Sequence, residues 1–79
     1  MLKLKNIKKN NNIISAEYDP ESSGELGSIS VDIDSGKLVD SRASKLDSPL
    51  PIYLKHAEDA LKKIMIEDDI PKEKLIMWY

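Results

Sequence analysis

The chain holds one histidine, no cysteine and fourteen carboxylate side chains, so any chemistry has to be built from His56 and the acids. His56-Ala57-Glu58 repeats the His-x-Glu fragment of zinc-dependent deaminases, whose metal also needs paired cysteines. Without thiolates, zinc lacks ligands here. His56 and Asp59 stand three residues apart and could share a metal on one helix face, but two ligands make only an adventitious site. Asp32-Ile33-Asp34-Ser35-Gly36 begins like a calcium loop. Its glycine falls at the fifth place instead of the sixth, no helix precedes it, and no glutamate stands at the twelfth. Gly24-Glu25-Leu26-Gly27 has the spacing of the G-x-x-G loop that clamps a nucleic-acid backbone. Its glutamate would repel phosphate, and strands instead of helices flank it, so it reads as a hairpin loop with two glycines. No phosphate-cradling glycine loop, dinucleotide fingerprint or Ser-His-Asp ordering is present. Catalysis needs an activated nucleophile or a tuned acid/base pair, and no residues offer one. The expectation is a non-enzyme with no cofactor and no metal.

Size and charge narrow the rest. Seventy-nine residues make one small domain spanning 1–79. A domain this small buries only about 60% of its unfolded surface, so every apolar face is needed for stability. It has little room to enclose a substrate pocket of ~300 Å³ as well. Cysteine-free composition removes disulfides, no apolar run nears the ~20 residues of a membrane span, and Met1-Leu2-Lys3-Leu4-Lys5 is no secretory signal. A cytoplasmic location is expected. Residues 1–12 carry Lys3, Lys5, Lys8 and Lys9 and no acid, whereas 13–36 carry six acids and no base. Net charge near −2 argues against a dedicated nucleic-acid binder; the basic and acidic stretches read as neighbouring strands that complement each other.

The elements that would position these residues follow from periodicity. Leu2 and Leu4 alternate with Lys3 and Lys5 over 2–8, and Ile7 breaks the parity, as a bulge or a strand end would. Asn10-Asn11-Asn12 is a turn signal. Ile14, Ala16 and Tyr18 alternate with polar neighbours over 13–19, and Pro20 ends that strand. Ile29, Val31 and Ile33 give 28–34 a β-branched face. Asp34-Ser35-Gly36-Lys37 is a tight hairpin, with Gly36 suited to a left-handed turn position. Leu38 and Val39 open a fourth strand of ambiguous register. Ser48, Pro49 and Pro51 signal a helix start, the serine as cap. Leu50, Tyr53, Leu54, Ala57, Ala60, Leu61, Ile64 and Met65 then recur at spacings of three and four, forming an apolar stripe. Glu58–Lys62 and Asp59–Lys63 form i,i+4 pairs. Glu67-Asp68-Asp69 opposes the helix dipole and predicts fraying there. Lys74 to Tyr79 reads as a returning strand, with a short helix begun by Pro71 as the alternative. The fold expected is α+β: an antiparallel meander of about four strands, covered on one face by a single amphipathic helix (50–67), with a C-terminal fifth strand (ββββαβ).

Two surfaces remain for function. Ile52 and Ile66 fall off the helix's apolar stripe. Met77, Trp78 and Tyr79 end the chain with side chains suited either to anchoring an interface or to sealing a small core. A charge-free edge strand over 75–79 would be open to pairing with another chain. The leading expectation is a non-catalytic interaction module that binds another protein, or itself as a homodimer, through the last strand and the adjoining helix face. The alternative is a weak nucleic-acid contact by Lys3, Lys5, Lys8 and Lys9 in the basic first hairpin.

Overall fold

The computed structural model describes residues 1–47 and 51–77. Five strands form one antiparallel sheet: β1 (Leu2–Asn10), β2 (Ile13–Pro20), β3 (Gly27–Asp32), β4 (Leu38–Arg42) and β5 (Lys74–Ile76), in the order β4-β3-β2-β1-β5. Among the described residues one α-helix, α1 (Ile52–Ile64), follows a short 3-10 turn at Lys45–Asp47 and lies between β4 and β5 in the chain. It lies across one face and carries the chain from one edge of the sheet to the other. The expected ββββαβ architecture is the one observed.

Period-two alternation explains how the sheet acquires a core. Leu2, Leu4, Ile14, Ala16, Tyr18, Ile29 and Val31 turn to the helix and are buried, meeting Ala57, Leu61 and Ile64 from α1. Each large aliphatic side chain buried there contributes on the order of 1.5–3 kcal/mol. Among the described residues no layer of secondary structure covers the opposite face of the sheet, which carries Lys3, Lys5, Glu17, Ser28 and Ser30. Asp19, on the same face, is buried at the sheet's end, where its carboxylate accepts from the Gly24 amide (2.9 Å) and faces the Lys5 ammonium (3.3 Å). Desolvation pushes its pKa up, but the Gly24 and Lys5 contacts outweigh that, and the net shift is below the usual carboxylate value.

Several boundaries differ from the periodicity, each for a local reason. β1 runs on to Asn10 because Ile7 sits beyond a bulge and not at a strand end. Asn6 takes a left-handed backbone (φ 53°), and three steps on β1 from Lys5 to Lys8 span two on β2 from Glu17 to Ser15. The extra residue returns Ile7 to the buried face, with its amide bonded to the Lys72 carbonyl at 3.0 Å. β3 stops at Asp32 instead of 34, since the Gly36 amide reaches back to the Asp32 carbonyl and closes the turn two residues early. Gly36 is left-handed as expected (φ 71°). A second irregularity settles the fourth strand: Leu38 pairs with Val31 and turns inward, Asp40 pairs with Ser30, and Val39 between them is exposed.

The helix is shorter than 50–67. Ile64 is its last residue, and 65–69 form turns and bends, as three consecutive acids at the negative end of a helix dipole require. Tyr53, Leu54, Ala57, Ala60, Leu61, Ile64 and Met65 do pack on the core. Ser48, Pro49 and Leu50 lie outside the described residues, so the serine cap and the first stripe position do too. The capping carboxylate observed belongs to Asp47, which accepts from the amides of Tyr53 (2.7 Å) and Leu54 (3.1 Å). Glu58–Lys62 forms at 2.8 Å, whereas Asp59 pairs backwards with Lys55 (3.4 Å) and leaves Lys63 aside.

Tyr18 ties this start of the helix to the sheet. Its side chain crosses the backbone of Gly27, its partner on β3, where any Cβ would stand 2.3–2.6 Å from the ring and hydroxyl. Beyond that glycine the hydroxyl accepts the Ser44 amide hydrogen at 2.8 Å and donates to the Asp47 carboxylate. Burial, reinforced by the hydrogen bond to Asp47, raises the pKa of the phenol well above its ordinary value, so it stays neutral.

Candidate interaction surface at the sheet edge

β5 forms at one margin of the sheet and, among the described residues, is paired by β1 on one side only. Leu2 faces Ile76, Lys3 faces Leu75 and Leu4 faces Lys74. Ile76 and Lys74 therefore share the helix-facing side, and Leu75 shares the uncovered side with Lys3. Leu75 is 53% and Met77 56% exposed. The strand has only three residues, between a polar approach at Pro71–Glu73 and the chain end.

α1 supplies the other wall of this margin. Ile52, His56, Asp59, Ala60 and Lys63 recur at spacings of three and four, so they lie on one flank beside the buried stripe. His56, Asp59, Ala60 and Lys63 face Lys74, Leu75, Ile76 and Met77 across an open groove of about 390 Å³. A shallower recess formed by Pro51, Ile52, Lys55 and His56 adjoins it through the shared histidine. Asp59 is held by Lys55, and Lys74 reaches Glu67 at 3.8 Å, the outer limit of an ion pair. Lys63 makes no ion pair among the described residues.

The residues singled out from the sequence are thus partly gathered and partly scattered. Ile52 and Met77 flank the same histidine. Ile66 is 80% exposed but lies two residues past the end of α1, whose span from Ile52 to Ile64 is about 18 Å at 1.5 Å per residue. It belongs to no common patch with Ile52. Trp78 and Tyr79 lie outside the described residues. Lys3, Lys5 and Lys8 share the uncovered face, and the register turns Lys9, opposite Ile14, to the other. Lys3 is paired with Glu73 (3.1 Å) and Lys5 with Asp19, which divides the basic run among carboxylates instead of collecting it.

Lys63 and Lys74 are site residues that the sequence reading misses. Lys63 reads from the sequence as the salt-bridge partner of Asp59; the spacing Ile52-His56-Asp59-Lys63 is the signal that marks them as one flank. Leu75 belongs to the charge-free run 75–79 that the sequence marks as an open edge, whereas nothing local marks Lys74, because pairing with β1 decides which way it turns.

His56, on which a catalytic reading would rest, is half-buried in the groove wall. No three histidine, aspartate or glutamate side chains gather as a metal site among the described residues. Among the same residues no helix is long and apolar enough to cross a membrane. Fold and surface together define a small α+β domain with one margin formed by a short strand and a helix flank. Comparison with protein-family models, curated proteins and solved structures finds no match.

Proposed function

We propose that the protein is a small non-catalytic interaction module that takes up a strand, from another protein or from a second copy, along the outer edge of β5. The observation that carries this reading is the margin itself. β5 is paired on one side, places two large apolar side chains in solvent at Leu75 and Met77, and adjoins an open groove on α1. Natural sheets blunt their edges with short strands, charge, proline or cover; β5 is short and starts on Lys74, but the run 75–77 carries no charge or proline. Strand addition draws affinity from main-chain hydrogen bonds and specificity from alternate side chains. Both components are available here. A cytoplasmic setting fits the cysteine-free sequence.

The test is a selection of random peptides against the intact chain, with amide shifts mapping where the enriched peptides bind, and sedimentation equilibrium measuring self-association. The expected result is peptide or self contact that perturbs the amides of 74–77. A chain that stays monomeric at high concentration and enriches only peptides mapping elsewhere overturns the proposal.

A further inference from the structure

We infer that the strand taken up at β5 is an acidic extended segment of another protein, in which carboxylates alternate with apolar side chains. This rests on the strand-addition reading above and adds the chemistry of the partner. Residues opposite each other in an antiparallel pair share a face. Positions of an incoming strand opposite Lys74 and Ile76 therefore turn toward α1, and the one beside Leu75 turns to the uncovered side. On the α1 side Lys63 and Lys74 line the groove. The one acid of the groove wall, Asp59, is engaged by Lys55. Lys74 also meets Glu67, but at 3.8 Å and with both side chains nearly half exposed, an ion pair of the kind that a competing carboxylate displaces at little cost. On the other side Leu75 offers apolar surface beside Lys3, whose charge is taken up by Glu73. The margin thus asks for negative charge at one set of alternate positions and apolar volume at the other.

The chain's own sequence argues for a foreign partner over a second copy. Its alternating acid and apolar segments are Ala16-Glu17-Tyr18-Asp19 in β2 and Val31-Asp32 running into Ile33-Asp34. β2 and β3 are interior strands already paired on both sides. A second copy has neither of them to give without unfolding.

Three fluorescein-labelled heptapeptides test the inference against the full chain at low ionic strength: alternating Glu/Val, Thr/Val and Lys/Val. Anisotropy measures affinity and amide shifts locate the contact. The Glu/Val peptide is expected to bind about tenfold more tightly than Thr/Val and to shift 74–77 and the α1 flank. Added salt should erase that difference. Lys63→Glu, at an exposed position, should weaken Glu/Val binding about fivefold, the upper end of what one exposed charge pair contributes, with the unfolding curve unchanged. Equal affinity of Glu/Val and Thr/Val, both shifting β5, overturns the acidic partner and leaves strand addition standing. Indifference to Lys63→Glu overturns it equally. No shift at β5 with any peptide overturns both readings.

Discussion

Asp47 is the residue on which the crossover from sheet to helix turns, and Asp47→Ala is the sharpest test of that geometry. The carboxylate is 3% exposed and accepts three hydrogen bonds: from the Tyr18 hydroxyl, the Tyr53 amide and the Leu54 amide. Loss of a helix cap costs about 0.5–2 kcal/mol. The fully buried Tyr18 hydroxyl is also left with no acceptor, at about 1–3 kcal/mol. Since the two losses share one group, we expect roughly 2–4 kcal/mol in total. Total stability for 79 residues at ~0.05–0.15 kcal/mol per residue is about 4–12 kcal/mol, so the variant should sit near the limit of folding. Tyr18→Phe keeps both helix bonds and orphans only the Ser44 amide, for about 1–2 kcal/mol. Urea unfolding followed by far-UV circular dichroism measures each variant and the double mutant. The double should be less destabilised than the sum by about 1 kcal/mol, because the Tyr18–Asp47 bond is counted in both singles. An Asp47→Ala cost below about 0.5 kcal/mol, or strict additivity with Tyr18→Phe, refutes the role assigned to this bond.

Gly27→Ala places a methyl group 2.3–2.6 Å from the Tyr18 ring and hydroxyl; displacement of a side chain anchored at its far end should destabilise by about 1–3 kcal/mol, read from the same unfolding curves. The raised Tyr18 pKa predicts alkaline weakening. Its folded value lies above the ordinary 10.0, so the stability it contributes is complete below pH 10 and falls as pH rises beyond it, while the unfolded phenol ionises and the folded one does not. The urea midpoint above pH 10 should drop more steeply in the wild type than in Tyr18→Phe, and parallel slopes would count against this. Leu61→Ala, at a fully buried site, should cost about 2–5 kcal/mol. Ile66→Ser, at an 80% exposed site, should stay within about 0.5 kcal/mol, and a larger loss would place Ile66 in a contact that the fold does not give it.

The order of elements was legible because it rests on local periodicities. Alternation at Ile29 and Val31 can only be a half-buried strand, and the stripe from Tyr53 to Met65 can only be a helix with one covered face. Left-handed Gly36 follows from turn chemistry confined to four residues. The exposure of Ile52 follows from angular position alone, whereas Ile66 is exposed in the turn that follows the helix. Boundaries moved where a single backbone hydrogen bond decides them, as the Gly36 amide does for the end of β3.

Contacts between residues distant in sequence needed the tertiary structure. Tyr18 and Asp47 stand 29 apart; no pattern announces that one will orient the other, or that Gly27 must be bare to let the ring pass. The same holds at the margin. Lys63 belongs to a helix and Lys74 to a strand, and only the pairing of Leu4 with Lys74 beneath α1 sets both in one groove. Residue types and their periods determine which faces are buried, since burial is read one element at a time. Which exposed groups meet is decided by packing, since that depends on where the sheet ends and on which side the helix crosses it.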